Sequence, residues 1–324
     1  MSSSSKNTDS CSPSAQTDDG TAAEGATTPL SEKSVPVISL QDVSGFRRAF
    51  EQYGFAVLPL TPDVTAAASA LRTAAIAFFT SPIAEKQVFS SGGTYGPPGW
   101  AAQGLESVQR SRQTNDTRVD INKGDNFKAD AVESFVYHGG AEAPPVPPVL
   151  KEPLDRYHAL VNALLDQVME TTALSQGLEK DFFVPFFKNR SCAMRLAYYP
   201  AGNGTKYGAH TDYTGFTLLN TEKSGLQVFN DNDWVDIPCR SDTMIINAGD
   251  LIPVWTNGRF TSALHRVVAT PELLHSDRLS IVYFTGPADD VLVEPVQQND
   301  GEALQFQPVL AGEHLRAKLA STNR

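Results

Sequence analysis

His210-Thr-Asp-Tyr-Thr-Gly-Phe-Thr-Leu-Leu219 sets an imidazole and a carboxylate two residues apart and runs straight into an apolar stretch. On an extended backbone residues i and i+2 share a face, so His210 and Asp212 are expected to reach the same ion. Around this segment the chain reads as short runs separated by turn residues, at 193–199, 217–219, 226–229, 234–238, 244–247, 252–255, 264–268 and 279–285. Regularly spaced short strands of this kind predict a β-sandwich or barrel.

Upstream the texture is helical. Val43, Phe46, Ala49 and Phe50 stand at helical spacing within 41–53, and Gly54 suits the residue after a helix C-terminus. A β-branched run at 35–40, with Pro36 near its start, predicts an edge strand, and 55–60 predicts a second strand. Thr61-Pro-Asp63 opens an Ala-rich helix over 64–79, stopped before Pro82. Helical spacing returns at 150–177, with Leu154, Tyr157, Val161, Leu165 and Val168 on a broad apolar stripe, and a short terminal helix is expected at 312–319. Between Phe89 and Pro148 periodicity fades into Gly, Pro and polar residues, which predicts functional loops over a site. The expected fold class is mainly β with flanking helices. The expected organisation is a disordered Ser/Thr/Ala-rich tail at 1–33, a helical region with pocket loops at 34–188, and a β core with terminal helix at 189–324, the last two forming one compact unit.

Composition narrows the function. The 324 residues suffice for a sizeable core, and 41% hydrophobic with 19% charged residues is ordinary globular usage. A net charge of −11 repels phosphate backbones and anionic bilayers, so neither nucleic acid nor membrane is an expected partner. Cys11, Cys192 and Cys239 are odd in number and lack C-x-x-C spacing, which argues against a disulfide framework and for a reducing, cytoplasmic setting. The tail has no apolar signal region, and Asp9, Asp18, Asp19, Glu24 and Glu32 argue against a transit peptide.

Among six histidines, His210 and His265 lie in the β-rich part, and His265 sits in Ser262-Ala-Leu-His-Arg-Val-Val268, on a later strand that a sandwich could bring opposite the first pair. Two imidazoles and one carboxylate with open positions are the ligand set of non-heme Fe(II) oxygenases. Arg278-Leu-Ser280 places a guanidinium and a hydroxyl on one face of the following strand, able to hold a carboxylate. Each feature alone has a plainer reading: a surface His beside an acid, or an internal salt bridge.

Taken together, His210-Thr-Asp212, Gly225-Leu-Gln-Val228, Asn247-Ala-Gly-Asp250, Thr256-Asn-Gly258, His265-Arg-Val267 and Arg278-Leu-Ser-Ile-Val-Tyr-Phe284 fall in the order of one family. The chain resembles the isopenicillin-N-synthase-like Fe(II)/2-oxoglutarate dioxygenases. Val35-Pro-Val-Ile38, Gly54-Phe55, Phe78-Phe79 and Glu133-Ser-Phe135 extend the likeness over roughly residues 35 to 320. The resemblance implies a double-stranded β-helix, a distorted jelly roll, with Fe(II) on His210, Asp212 and His265. It implies 2-oxoglutarate held by Arg278 and Ser280 with a hydrogen bond from Tyr199, O2 as the other cosubstrate, and ascorbate as an accessory reductant. The implied reaction oxidises a C–H bond of a small metabolite by hydroxylation, desaturation or oxidative cyclisation, releasing succinate and CO2.

Arg195 and Phe284 match positions that face the substrate in small-substrate members, which implies an anionic or strongly hydrogen-bonding substrate. Trp100, Phe135 and Tyr137 are further candidate lining residues, from loops at 95–106 and 126–138. A monomer is expected. Two departures from the common plant pattern leave the ligands intact: Thr261 where a Lys often stands, and a lengthened connection from His265 to Arg278 containing Pro271. Three alternatives stay open: an iron oxidase of the same fold that does not use 2-oxoglutarate, a non-catalytic metal-dependent binding protein, and a zinc hydrolase on the same ligands.

Overall fold

The computed structural model describes residues 34–92, 97–105, 130–139, 145–202 and 207–322; the tail expected at 1–33, Cys11 and parts of both expected pocket loops lie outside them. Helix α1 (Val43–Gln52) is opened by Asp42, whose Oδ1 accepts a hydrogen bond from Gly45 N at 2.8 Å. It ends at Gly54, whose φ of +65° and closeness to the Thr261 carbonyl leave no room for a Cβ, as the expected helix-terminating glycine requires. Strand β1 (Phe55–Pro59) and helix α2 (Pro62–Phe79) follow, then the short α3 (Ile83–Gln87). Next come β2 (Gly99–Ala101), β3 (Glu133–Tyr137), the long helix α4 (Pro148–Ser175) and the short α5 (Val184–Phe187).

The β-rich part holds β4 (Ser191–Tyr199), β5 (Tyr207–His210), β6 (Phe216–Thr221), β7 (Leu226–Asn230), β8 (Asp233–Asp236), β9 (Thr243–Ala248), α6 (Leu251–Trp255), β10 (His265–Val267) and β11 (Arg278–Gly286). It closes with β12 (Leu292–Val293), β13 (Val309–Leu310) and α7 (Ala311–Thr322). One sheet runs β1-β9-β6-β11-β4-β3-β2 and a second runs β5-β10-β7-β8, all neighbours antiparallel; β12 and β13 form a small pair.

Strand alternation explains how the large sheet serves two cores. Met194, Leu196 and Tyr198 of β4, Phe216 and Leu218 of β6, Met244 and Ile246 of β9, and Leu279, Ile281 and Tyr283 of β11 face α1, α2 and α4. Residues of opposite parity, Ala197, Tyr199, Leu219, Ile245, Phe55 and Val57, turn inward and meet Tyr207, Leu226, Val228, Val235 and Val267 of the smaller sheet. The result is a two-sheet jelly roll with helices backing one sheet. Aromatic packing seals the α1 side, where the Phe50 ring lies 5.3 Å from those of Phe216 and Phe260; such pairs contribute about 0.5–1.5 kcal/mol each beyond area burial. No helix among the described residues is long and apolar enough to cross a membrane.

Three local expectations are corrected, and one strand was not foreseen. Residues 35–40 make one parallel bridge, Val37 to Val57, and no strand, because Pro36 lacks an N–H and the chain turns at Leu40 into α1. The run at 252–255 is the helix α6: Pro253 cannot donate to a ladder, and Thr256 N donates to Ile252 O at 2.9 Å. Between Phe89 and Pro148 the chain contains β2 and β3, and β3 is buried at all five positions, so it shows no alternation. Strand β5 was not visible either, its Tyr-Gly-Ala-His sequence being too short and too poor in β-branched residues to register.

A buried ion pair ties β3 to α3. Lys86 Nζ lies 2.7 Å from Glu133 Oε1, which also accepts from Trp100 Nε1 at 2.6 Å, while Lys86 donates to Phe79 O at 2.8 Å. Removing the cation leaves a buried carboxylate without its charge partner. Lys86→Met is therefore expected to cost about 3–5 kcal/mol, and adding Glu133→Gln should recover part of it. Urea unfolding of both variants checks this; equal loss in the single and double variants would contradict it.

Candidate metal and anion site

Strands β5 and β10 are hydrogen-bonded neighbours, and His210 and His265 are register partners across them. The two imidazoles therefore arrive side by side on one sheet, ring centroids 4.2 Å apart, His265 on a later strand directly across from His210. Each ring is oriented by its backbone: His210 Nδ1 lies 2.8 Å from Gly208 O and His265 Nδ1 3.2 Å from Ala263 O. A carbonyl oxygen only accepts, so both Nδ1 atoms carry the proton and both Nε2 lone pairs are free to bind a cation. Each Nε2 is 3.8 Å from Asp212 Oδ1, and the three side chains are buried. Burial, with the neighbouring His265, holds the His210 imidazole down to about 3, against the opposing pull of Asp212, so it stays neutral at neutral pH. Edge-on rings of Tyr207 against His210, 4.9 Å, and Phe55 against His265, 5.4 Å, restrict both planes further.

Asp212 does not continue strand β5, which ends at His210; it stands in the following loop. The structure therefore brings the pair together without the continuous strand that the shared-face argument assumed. The loop is fixed by backbone bonds from Asp250 N to Asp212 O, 2.9 Å, and from Leu251 N to Thr214 O, 3.0 Å. Gly249 makes this approach possible, since a Cβ there would sit 2.6 Å from the carbonyl oxygens of Thr214 and Gly215. Asp212 Oδ2 accepts hydrogen bonds from Thr217 Oγ1 at 2.5 Å and Asn247 Nδ2 at 2.7 Å, from register partners on β6 and β9. One carboxylate oxygen is thus tied back and the other turned toward the imidazoles. The three groups form a cluster whose ligand atoms all lie within 4.8 Å of one another, and this donor set fits Fe(II) with open positions. Asn247→Leu is expected to weaken Fe(II) binding roughly 10–100-fold with all three ligands intact, measured by anaerobic chelator competition. Unchanged affinity would show that Asn247 does not orient Asp212.

Arg278 and Ser280 share a face of β11, as their spacing predicts. Arg278 is 1% exposed, donates from Nη1 to Ser280 Oγ at 2.5 Å and from Nε to Lys223 O at 3.3 Å, and its Nη2 has no hydrogen-bond partner among the described residues. A buried guanidinium nitrogen without an acceptor is costly unless an anion completes it, so these groups fit a carboxylate. Tyr199 is the register partner of Arg278, with its ring 5.2 Å from the guanidinium carbon. That places it beside the Arg278 guanidinium.

On the same inward face lies a cavity of about 120 Å³ lined by Val136, His138, Ser191, Ala193, Arg195, Tyr213, Thr214, Phe284, Leu315 and Leu319, with His210 and Asp212 in its wall. Arg195 and Phe284 therefore reach the site as expected. Arg195 is 3% exposed and donates to Tyr207 Oη at 2.7 Å. The other three candidates do not line the cavity. Phe135 packs edge-on against Phe78 under α2, Tyr137 hydrogen-bonds Asp155 of α4, and Trp100 is bound to Glu133. With β3 buried on both sides, the sequence could not show that Val136 faces the cavity while Phe135 and Tyr137 face the helices. Leu315 and Leu319 were also missed, though their i, i+4 spacing on the terminal helix was visible.

Residues 190–287 match the family model of the 2OG-Fe(II) oxygenase superfamily. Gibberellin 20 oxidase 3 of Arabidopsis thaliana is 34% identical over 147 residues, 44% of this chain and 38% of that protein, so the match spans less than half of the relative's length. A 2OG-Fe(II) oxygenase family protein from Caulobacter crescentus superposes with a TM-score of 0.74 at 26% identity, covering 88% of this chain and 97% of the other. A full-length Neurospora crassa protein solved in complex with alpha-KG gives 0.73 at 25% identity, covering 87% and 91%. The jelly roll is accordingly a double-stranded β-helix, and its segment 190–287, which carries the paired imidazoles, the single carboxylate and the buried Arg–Ser pair, matches the 2OG-Fe(II) oxygenase superfamily.

Proposed function

We propose that the protein is an Fe(II)- and 2-oxoglutarate-dependent oxygenase that oxidises a C–H bond of a small metabolite bearing an anionic or strongly hydrogen-bond-accepting group. The observation that carries the reading is the unpartnered, buried Arg278 Nη2 on the inward face of the large sheet, in a jelly roll whose smaller sheet carries His210 and His265 of the His210–Asp212–His265 cluster. When bound, Fe(II) and 2-oxoglutarate supply oxidative decarboxylation of the keto acid by O2, giving succinate, CO2 and the oxidising equivalent for the substrate.

The chain's own residues divide the remaining work. His210, Asp212 and His265 would hold the metal, and the backbone carbonyls of Gly208 and Ala263 with Thr217 and Asn247 keep those side chains aimed. Arg278, Ser280 and Tyr199 would hold the distal carboxylate of the cosubstrate. Ser280 and Phe284 lie four residues apart on one face of β11, roughly 13 Å of strand, so clamp and substrate cavity occupy successive stations along one row of side chains. Thr217, which bonds Asp212, is the register partner of Phe284 and ties the metal ligand to the cavity end of that row. Among the described lining residues Arg195 offers the one guanidinium, while Val136, Phe284, Leu315 and Leu319 exclude water from an apolar body.

The test is succinate release from Fe(II)-loaded protein with 2-oxoglutarate, O2 and a panel of small carboxylates, lactams and their neutral analogues. Turnover above the substrate-free rate is expected with acceptor-bearing members only, and Arg195→Met should lose that stimulation while keeping the substrate-free rate. Succinate that never forms, or stimulation indifferent to Arg195, contradicts the reading.

A further inference from the structure

Strand β11 outruns its neighbour β6 at the clamp. The pairing between them ends at Ser280 and Thr221, so Arg278 and Leu279 extend past the last residue of β6. The Leu279 carbonyl, between the two clamp residues, accepts from two side chains at this strand end: Thr221 Oγ1 donates at 3.2 Å and Arg72 Nη1 at 2.9 Å. Arg72 comes from α2, on the opposite face of the sheet from Arg278, and is 7% exposed. Its Nη2 donates to Asn220 Oδ1 at 2.5 Å, and Asn220 Nδ2 donates to Thr243 O at 2.8 Å and Ser241 O at 3.1 Å. Its Nε lies 3.4 Å from Glu222 Oε2. Glu222 immediately precedes Lys223, whose carbonyl accepts from Arg278 Nε. One guanidinium thus fixes the backbone of the clamp strand, the end of β6 and the turn that holds Arg278.

We propose that Arg72 is a positioning residue for cosubstrate binding: from the helical side of the sheet it sets the place of Arg278 and Ser280, without touching the ligand itself. The inference rests on reading Arg278 and Ser280 as the 2-oxoglutarate clamp. It also places a determinant of that site in α2, outside the segment 190–287 that carries the family's pattern. The metal ligands stand on β5, β10 and the loop after β5, none of which Arg72 touches, so its loss should act on the cosubstrate and spare the metal.

The experiment measures the KM for 2-oxoglutarate and kcat from substrate-free succinate release, and Fe(II) affinity by chelator competition, in wild type, Arg72→Met, Arg72→Lys and Thr221→Val. Arg72→Met is expected to raise the KM about 10-fold, as displacement of a binding group from a remote site does, with kcat and Fe(II) affinity within about twofold. Arg72→Lys should recover part of the loss, and Thr221→Val should raise the KM in the same direction by a smaller factor. If Arg72→Met does not yield folded protein, Arg72→Lys and Thr221→Val decide the matter by the same split. An unchanged KM, or a raised KM accompanied by an equal loss of Fe(II) affinity, overturns the proposal. Wild-type protein that does not bind 2-oxoglutarate at all would instead overturn the reading of the clamp, which separates the two failures.

Discussion

Asp212→Ala is expected to abolish Fe(II) binding at micromolar metal. Asp212 is the sole carboxylate of the cluster, and the imidazoles bring no negative charge, so its removal leaves a dication without any anionic ligand inside a buried site. The loss should exceed the roughly 10–100-fold expected when only an orienting partner such as Asn247 is removed. The truncation also strands Thr217 Oγ1 and Asn247 Nδ2, which now donate to Asp212 Oδ2; leaving buried donors unmade costs about 1–3 kcal/mol each. Metal-free Asp212→Ala should therefore melt below metal-free wild type, while Asp212→Asn, which keeps an acceptor at that place, should lose metal with less loss of stability. Anaerobic titration and thermal melting distinguish the two effects. Retention of Fe(II) by Asp212→Ala would exclude the carboxylate from the metal site.

Arg278→Met should leave Fe(II) binding in place and remove 2-oxoglutarate binding at ordinary concentrations. Methionine fills much of the same volume, so the barrel keeps its packing while the charge and the unpartnered Nη2 disappear. Truncating one member of a buried, hydrogen-bonded charge pair costs about 2–5 kcal/mol, roughly a 30- to 4,000-fold rise in KM. Arg278→Lys keeps the charge without the planar fork and should fall between. A KM within threefold of wild type would remove Arg278 from the cosubstrate site. A parallel loss of Fe(II) affinity would show that its role is to support the barrel.

How much of this was readable before any coordinates follows from what kind of spacing each feature leaves. Arg278 and Ser280 sit on one regular strand, where period-two geometry holds, and their common face was legible. His210 and Asp212 were legible as a pair, yet the reason offered failed, because Asp212 lies beyond the strand end and is placed by backbone bonds to Asp250 that no pattern encodes. His265 could be matched to them only through the family's motif order; the direct pairing of β5 with β10 is a long-range contact. Phe135, Tyr137 and Trp100 were misassigned because a strand buried on both faces carries no polar–apolar alternation to tell cavity from core. Ile252 to Trp255 looked like a strand by composition, and Pro253 was the overlooked sign of a helix start. Arg72 left no signal at all: a lone arginine in an Ala-rich helix is ordinary on a solvent face, and its burial against β11 depends on how α2 lands on the sheet.

The central claim, that this chain binds a keto acid through a metal on His210, Asp212 and His265 with Arg278 on its far carboxylate, is tested most directly by anaerobic spectroscopy. Purified protein is loaded with Fe(II), titrated with 2-oxoglutarate, and then exposed to O2 with succinate quantified. A visible charge-transfer band should grow with 2-oxoglutarate, be absent in His210→Ala, need far more ligand in Arg278→Met, and give way to succinate once O2 enters. Fe(II) bound without the band and without succinate would contradict the account and leave an oxidase that uses the same ligands without 2-oxoglutarate.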